Sequence, residues 1–317
     1  MIKTYINKLI ENLPEEIKQN NTIKKRPMKI DLILDGGLFN GSYLVGALYF
    51  LKEMELRNYI KVVRISGCSI GSIIGLLYFI DALDELPCLY ESLLTDFKKD
   101  YNLNFIKFLK QKLIHRIPST ICEKICKKLY ICFNNIKSWK KIVKKTYKNV
   151  DDIFDSIIKS CYIPYIIDGK LTYQNKYIDG LNPYIFTCKN IKKNKQTISR
   201  KILFIDLLGF DKICSTLNIK NEKTNFHRVL AGMLDIHNFF IKGSKTQMCS
   251  YVNNWTLYNY FCMSIRYIIE KIIIYKLYFL NVINKNLSKE FKKNILCKLV
   301  VKICEDFFKI IVESNFL

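Results

Sequence analysis

Ser69 lies in Gly67-Cys68-Ser69-Ile70-Gly71, with a glycine two residues to either side. A β-rich run, Val62-Val63-Arg64-Ile65, precedes it, and an apolar run of helical length follows to Ile80. Strand, tight turn and helix around G-x-S-x-G is the layout of a nucleophile elbow. The sharp turn forces the serine into an unusual backbone conformation, and Gly67 and Gly71 remove the Cβ atoms that would clash across it. The hydroxyl then stands at a helix N-terminus, where unpaired N–H groups favour developing negative charge. A second glycine turn, Asp35-Gly36-Gly37-Leu38-Phe39-Asn40-Gly41, follows an earlier apolar run and exposes backbone N–H groups. Acyl transfer to a serine needs such donors, because attack creates an oxyanion that must be held at about 2.7–3.1 Å. The competing reading is a phosphate-binding turn, but the loop lacks both G-x-G-x-x-G spacing and a G-K-[ST] ending.

A serine nucleophile also needs a base. Asp179 ends the run Lys176-Tyr177-Ile178 and opens an Asp179-Gly180-Leu181-Asn182-Pro183 turn. Asp168 competes with it, although Ile167-Asp168-Gly169-Lys170 between short apolar runs has the form of a hairpin turn, where Asp-Gly is favoured by the backbone alone. His227 and His237 offer the chain order Ser…acid…His of an α/β-hydrolase triad. In that fold the elbow follows several strands, whereas here it follows the second, so both histidines are read as solvated surface residues.

These turns require particular elements to hold them. Lys29-Ile-Asp-Leu-Ile-Leu34 is a buried strand, about 42–54 a helix with Leu44, Leu48 and Leu51 on one side, and 62–65 the next strand. This is a βαβ unit with parallel strands and a right-handed crossover, which puts both glycine turns at the carboxyl ends of neighbouring strands, where open α/β sheets bind ligands. Residues 1–28 read as an amphipathic helix (Tyr5, Ile6, Leu9, Ile10, Leu13) with a polar connector. Residues 83–150 read as mainly helical, and about 150–159 as a helix ending in Ser160-Cys161-Tyr162-Ile163-Pro164. Short strands bracket Asp168-Gly169 and precede Asp179, a basic loop covers 191–200, and 201–207 is a further buried strand. From about 215 onward no strand is evident, and the sequence reads as helical.

The totals bound the partners. The chain has 317 residues, half of them hydrophobic, and a formal net charge of +23, which favours anionic surfaces. No RNP, zinc-finger or helix-turn-helix signature supports a specific nucleic-acid partner. Cys122, Cys126 and Cys132 cluster without a nearby histidine, so neither a metal nor another cofactor is expected, and the twelve cysteines are read as reduced thiols. No signal-peptide pattern follows Met1, and Ile65–Ile80 falls short of the roughly 20 residues a membrane span needs. The aromatic stretch 255–283 is interrupted by Arg266, Glu270, Lys271 and Lys276. The expectation is an intracellular, cytoplasmic protein with peripheral membrane association.

With these residues assembled, the chain resembles the patatin-like phospholipases, serine acyl hydrolases that use a Ser–Asp dyad and no histidine. Three blocks match in order: the oxyanion loop 35–41, the elbow 67–71, and Asp179-Gly180. Ser160-Cys-Tyr-Ile-Pro164 is similar to a further family segment. The resemblance covers about 29–210 and implies an α/β fold, a three-layer α/β/α sandwich with a mostly parallel central sheet. It implies Ser69 as nucleophile on a lipid ester, Asp179 as its proton acceptor, and the N–H groups of Gly36, Gly37, Leu38 and Ile70 as the oxyanion hole. Gly41, Gly67, Gly71 and Gly180 would support the turns. The family pattern usually has a third glycine and a basic residue where this chain has Leu38 and Asn40, and a small residue where it has Leu181. Leu38 and Asn40 motivate the alternative of a catalytically impaired, membrane-binding or scaffold protein. The implied organisation is 1–28 as helix and connector, 29–210 as acyl hydrolase domain, and 211–317 as helical C-terminal extension.

Residues 101–150 carry thirteen Lys and Arg against one acidic residue, Glu123. Trp139, Ile142, Val143, Tyr147 and Val150 fall on one helical face with lysines around the rest, so 101–150 is expected to be a basic helical cap that docks on anionic membrane, or else an ordinary surface helix covering the core. The sequence leaves the oligomeric state open.

Overall fold

The computed structural model describes residues 2–18, 27–100, 102–187, 200–209 and 224–286, together with five positions between 299 and 310. Residues 191–199 of the basic loop expected at 191–200, and most of 287–317, lie outside the described residues. A seven-stranded mixed sheet forms the centre, in the order β4-β3-β2-β1-β6-β7 with β5 pairing β3 off that path. The strands are β1 Met28–Leu34, β2 Ile60–Cys68, β3 Leu129–Asn135, β4 Lys140–Lys144, β5 Tyr177–Ile178, β6 Lys201–Ile205 and β7 Cys249–Tyr251. β3, β2, β1 and β6 run parallel, while β4, β5 and β7 are antiparallel additions. The principal helices are α1 Ile2–Glu11, α2 Gly41–Leu56, α3 Ile70–Phe79, α4 Leu86–Asp100, α5 Val150–Ser160, α6 Phe226–Lys242 and α7 Leu257–Asn286.

Period-two alternation in β1 decides the layers. Ile30, Leu32 and Leu34 enter the large core beneath the helices, whereas Ile33 points the other way to Phe186, Phe204 and Met263. The first face is covered by α1, α2, α3, α5 and α6, and the second by α7 with the segment around Phe186, giving the α/β/α sandwich. α5 starts where Asn149 caps it, its side chain accepting from Asp152 N at 2.9 Å. α6 stops at Gly243, which adopts the left-handed conformation at φ 62°.

Helices α2 and α6 cross at two glycines. A Cβ on Gly46 would lie 1.8 Å from the Val229 carbonyl oxygen, and one on Gly232 would lie 2.0 Å from that of Tyr43. Neither backbone can yield without parting the helices. Gly46→Ala is therefore expected to cost about 1–3 kcal/mol of stability, checked by denaturant unfolding.

Two sequence expectations are corrected. Residues 101–150 do not form a helical cap: short helical turns end at Ile125, and β3 and β4 then form an antiparallel hairpin. Asn135 Oδ1 closes its turn by accepting from Lys137 N and Ser138 N at 3.0 and 3.3 Å, and Trp139 sits at φ 55°. Trp139, Ile142 and Val143 at steps of three and one suit either period, and pairing with β3 decides for a strand. Nor is the region after 211 a purely helical extension. β7 joins the sheet beside β6, α6 packs into the main core, and α7 forms the second outer layer. No helix of the described residues is long and apolar enough to cross a membrane.

Candidate active site

β2 delivers Cys68, α3 begins at Ile70, and Ser69 between them takes φ 50° and ψ −129°. Such a conformation costs a non-glycine residue on the order of 1–3 kcal/mol and persists only where its surroundings enforce it. Here the backbone is held on both sides. Ser69 N–H donates to Ser160 Oγ at 2.9 Å, and Ser160 Oγ donates to the Cys132 carbonyl at 2.6 Å. The Ser69 carbonyl accepts from Ser72 N at 2.9 Å and Ser72 Oγ at 2.7 Å. Gly67 and Gly71 are required by contact as well as by conformation. A Cβ on Gly67 would lie 2.4 Å from the Gly71 carbonyl oxygen, and one on Gly71 would lie 2.7 Å from the carbonyl oxygens of Leu34 and Asp35. The elbow thus packs directly against the first glycine turn.

That turn is organised by Asp35, which is fully buried. Its carboxylate accepts from Gly36 N at 3.0 Å, from Leu207 N at 3.3 Å, and in bidentate fashion from Arg266 Nη2 at 2.7 and 2.9 Å. Burial pushes the Asp35 carboxyl up to about 7, and the Arg266 guanidinium opposes the shift. Gly36 lies against Ser69, since its Cβ would be 3.2 Å from Ser69 Cβ, but its N–H is turned to Asp35 rather than to the pocket. By contrast, the N–H groups of Gly37, Leu38 and Ile70 take part in no hydrogen bond among the described residues. Leu38 sits at φ 45° and lines the same pocket as Ser69 and Ile70. Gly41 must be glycine because a Cβ there would lie 2.3 Å from Ile70 Cγ1.

Asp179 arrives from the end of β5 and is 6% exposed. Its Oδ1 accepts from Leu181 N at 2.7 Å, while the buried Oδ2 has no hydrogen-bond partner. The Ser69 side chain is close enough to pull the Asp179 pKa down, although no hydrogen bond to Oδ2 is formed. Burial is the larger effect and pushes the carboxyl up to about 6; the Leu181 N–H, Ser69 and Lys141 pull it down, and Glu270 pushes it up. The backbone is fixed by Asp179 N to Tyr162 O at 2.9 Å, Gly180 N to Ser160 O at 3.2 Å, and Asn134 Nδ2 to Asp179 O at 3.0 Å. A Cβ on Gly180 would lie 2.3 Å from the Cys132 carbonyl oxygen, so this turn also admits only glycine.

The other candidate bases lie elsewhere. Asp168 forms the expected turn, with Gly169 at φ 72°, and is taken up by Lys107 and the Tyr162 hydroxyl, which hold it below the usual carboxylate range against the opposing effect of burial. No strand brackets it. His227 is exposed, but His237 is buried with its ring edge-on to Phe50, which corrects its reading as a solvated residue. Burial lowers its pKa.

The site also depends on residues that the sequence reading did not single out. Arg266 Nε donates to Asn182 Oδ1 at 2.9 Å, Asn182 Nδ2 to Glu270 Oε2 at 2.7 Å, and Lys141 Nζ to Glu270 Oε2 at 2.7 Å and to the Asn182 carbonyl at 2.8 Å. This buried network ties α7 and β4 to the loops bearing Asp35 and Asp179. Its signal in the sequence is the i, i+4 pair Arg266 and Glu270, which together with Lys271 and Lys276 interrupts the apolar and aromatic run of α7. Another guanidinium, that of the buried Arg228 on α6, donates to Asn40 Oδ1 at 2.5 Å behind the glycine turn.

Beside Ser69 opens a pocket whose empty space, mouth included, is about 700 Å³. Its walls are almost wholly apolar, with Leu38, Ile73, Leu89, Leu103, Phe105 and Leu109 among them. A strained serine, unbonded N–H groups and a hydrocarbon-lined pocket together suit an uncharged chain carrying an ester.

Residues 32–130 match the family described as patatin-like phospholipase. The matched stretch is about a third of the chain. It holds both glycine turns and Ser69 and ends before Asp179. Comparison with curated proteins found no match.

Proposed function

We propose that the chain is a lipid acyl hydrolase of the phospholipase A or lipase type, with Ser69 as nucleophile and Asp179 as its base. The acyl chain lies in the apolar pocket. Ser69 Oγ attacks the ester carbonyl carbon while its proton passes to Asp179 Oδ2, and the resulting oxyanion is held by the N–H groups of Gly37, Leu38 and Ile70. Gly36 has a supporting part in place of the expected direct one, because its N–H orients the turn through Asp35. Collapse of the tetrahedral intermediate breaks the ester bond, and Asp179 returns the proton to the departing alcohol. Water then attacks the acyl-serine, losing a proton to Asp179, which restores it to Ser69 as the fatty acid leaves.

The observation that carries this reading is the buried Oδ2 of Asp179, without a partner, beside a serine held at positive φ. Most buried carboxylate oxygens are hydrogen-bonded, so an idle one at this depth is unusual for an aspartate kept only for structure. Asn40, which departs from the family pattern, is buried and bonded to Arg228, so cationic charge still backs the glycine turn. A fluorophosphonate probe tests the nucleophile. It is expected to label the wild-type chain at Ser69, read by mass spectrometry of the adduct peptide, and an unlabelled Ser69 under conditions where the protein is folded rejects the hydrolase.

A further inference from the structure

The inner side of α7 packs Met263 and Ile274 on the sheet and sends Arg266 and Glu270 to the site. Its outer side exposes ten large apolar side chains. Tyr258, Phe261, Ile265, Ile268, Ile272 and Phe279 follow one another at helical spacing and form a continuous stripe along the helix. Scattered exposed apolar residues are ordinary, but a contiguous stripe of this extent marks an interaction surface.

The charge beside the stripe has one sign. Lys271 and Lys276 are exposed, whereas the single acidic residue of α7, Glu270, is buried and paired with Lys141. At the adjoining β3–β4 turn, Lys137, Trp139 and Lys140 are exposed. The Trp139 ring meets Tyr275 and Tyr278 edge-on at 5.0 and 5.3 Å, and Lys271 Nζ donates to its carbonyl at 3.0 Å. The turn therefore extends the same surface with more positive charge and another amphipathic ring. Elsewhere between 101 and 150, Lys107, Lys110, Arg116, Lys124 and Lys144 are engaged by acidic partners.

We propose that the outer face of α7 and the β3–β4 turn form the surface by which the protein lies on an anionic phospholipid bilayer. The stripe sinks to the acyl boundary, the tyrosines and Trp139 sit at headgroup depth, and the lysines meet lipid phosphate. A second copy fits worse. Stripes paired face to face would bring lysines together with no exposed acid on either helix to answer them, on a chain of net charge +23. The proposal rests on the lipid-hydrolase reading for its use, since the same helix carries the bilayer contact on one side and the Arg266–Asp35 bond on the other.

Vesicle flotation of the full chain tests it, with vesicles of phosphatidylcholine alone and of phosphatidylcholine mixed with phosphatidylglycerol. The wild type is expected to float with the mixed vesicles, less so at high salt, and Ile268→Glu with Ile272→Glu to weaken binding by about 100-fold or more. Lys271→Glu with Lys276→Glu should abolish the preference for the anionic lipid. Both double variants should keep the wild-type circular dichroism and the wild-type rate on a soluble short-chain ester. Wild type that fails to float, apolar variants that float as well as wild type, or a dimer by light scattering that Ile268→Glu dissociates would each overturn the proposal. Flotation as expected from a protein without esterase activity would strike the hydrolase reading and leave the docking surface standing.

Discussion

Ser69→Ala is expected to lower fatty-acid release from phospholipid by about 10⁴-fold or more, with little change in stability. Removing the nucleophile of an acyl-transfer site leaves only what binding and the oxyanion donors contribute. Alanine deletes one oxygen atom and leaves both anchors of the turn, because Ser160 and Ser72 bond to the Ser69 backbone and not to its side chain. The φ of 50° remains as unfavourable for alanine as for serine, so no strain is relieved. The elbow should therefore survive intact and inactive. Release of fatty acid by titration or mass spectrometry, beside an unfolding curve, checks both halves. Wild-type-like release from Ser69→Ala would end the assignment.

Asp179→Asn is expected to remove activity to a similar extent while raising stability at neutral pH. The asparagine Oδ1 can still accept from Leu181 N, so the turn is retained, but the amide cannot take a proton from Ser69. The stability change follows from linkage. Burial raises the folded-state pKa of Asp179 to about 6, whereas in the unfolded chain it lies near 3.9. Below the unfolded value both states hold the proton and the burial of a charge costs nothing. As pH rises from about 4 to about 6 the unfolded chain releases its proton first, so wild-type stability is lost across that window and stays reduced above it. A shift of that size corresponds to about 3 kcal/mol, which Asp179→Asn should recover above pH 6 and not below pH 4. Urea unfolding at both ends of the window measures it. The same titration sets the rate: wild-type kcat/KM should rise with pH on a limb near 6, as the base loses its proton. An equal stability for both proteins at neutral pH, or a rate independent of pH across the window, would remove Asp179 as the buried base.

Such a gain is what a working carboxylate at this depth predicts. A group kept for packing alone would not sit where its charged form is disfavoured and half its acceptors are idle. The compensation lies in the network around it, where Lys141, Glu270, Asn182 and Arg266 hold the loops in place without neutralising Asp179 by direct contact.

What was legible in the sequence was local. The elbow is written in five consecutive residues, because a serine forced to positive φ between a strand and a helix needs its glycines nearby. The βαβ unit from Met28 to Cys68 follows from two apolar runs and one helical period, and the Asp179-Gly180 turn from a glycine that no side chain can replace. The short pieces were not legible. β7 has three residues and no alternation of its own, and β4 has a pattern that fits either period; in both, the partner strand supplies the hydrogen bonds that decide the state.

The sequence by itself determined the serine elbow, the two glycine turns and the parallel core that sets them side by side, since each depends on steric limits acting within a few residues. Only the tertiary structure decided that Gly36 gives its N–H to Asp35, that Arg266 reaches Asp35 across 231 positions of chain, and that Asp179 is buried with one oxygen unpaired. Those outcomes turn on burial and on which polar atom finds which partner, quantities that no spacing along the chain encodes.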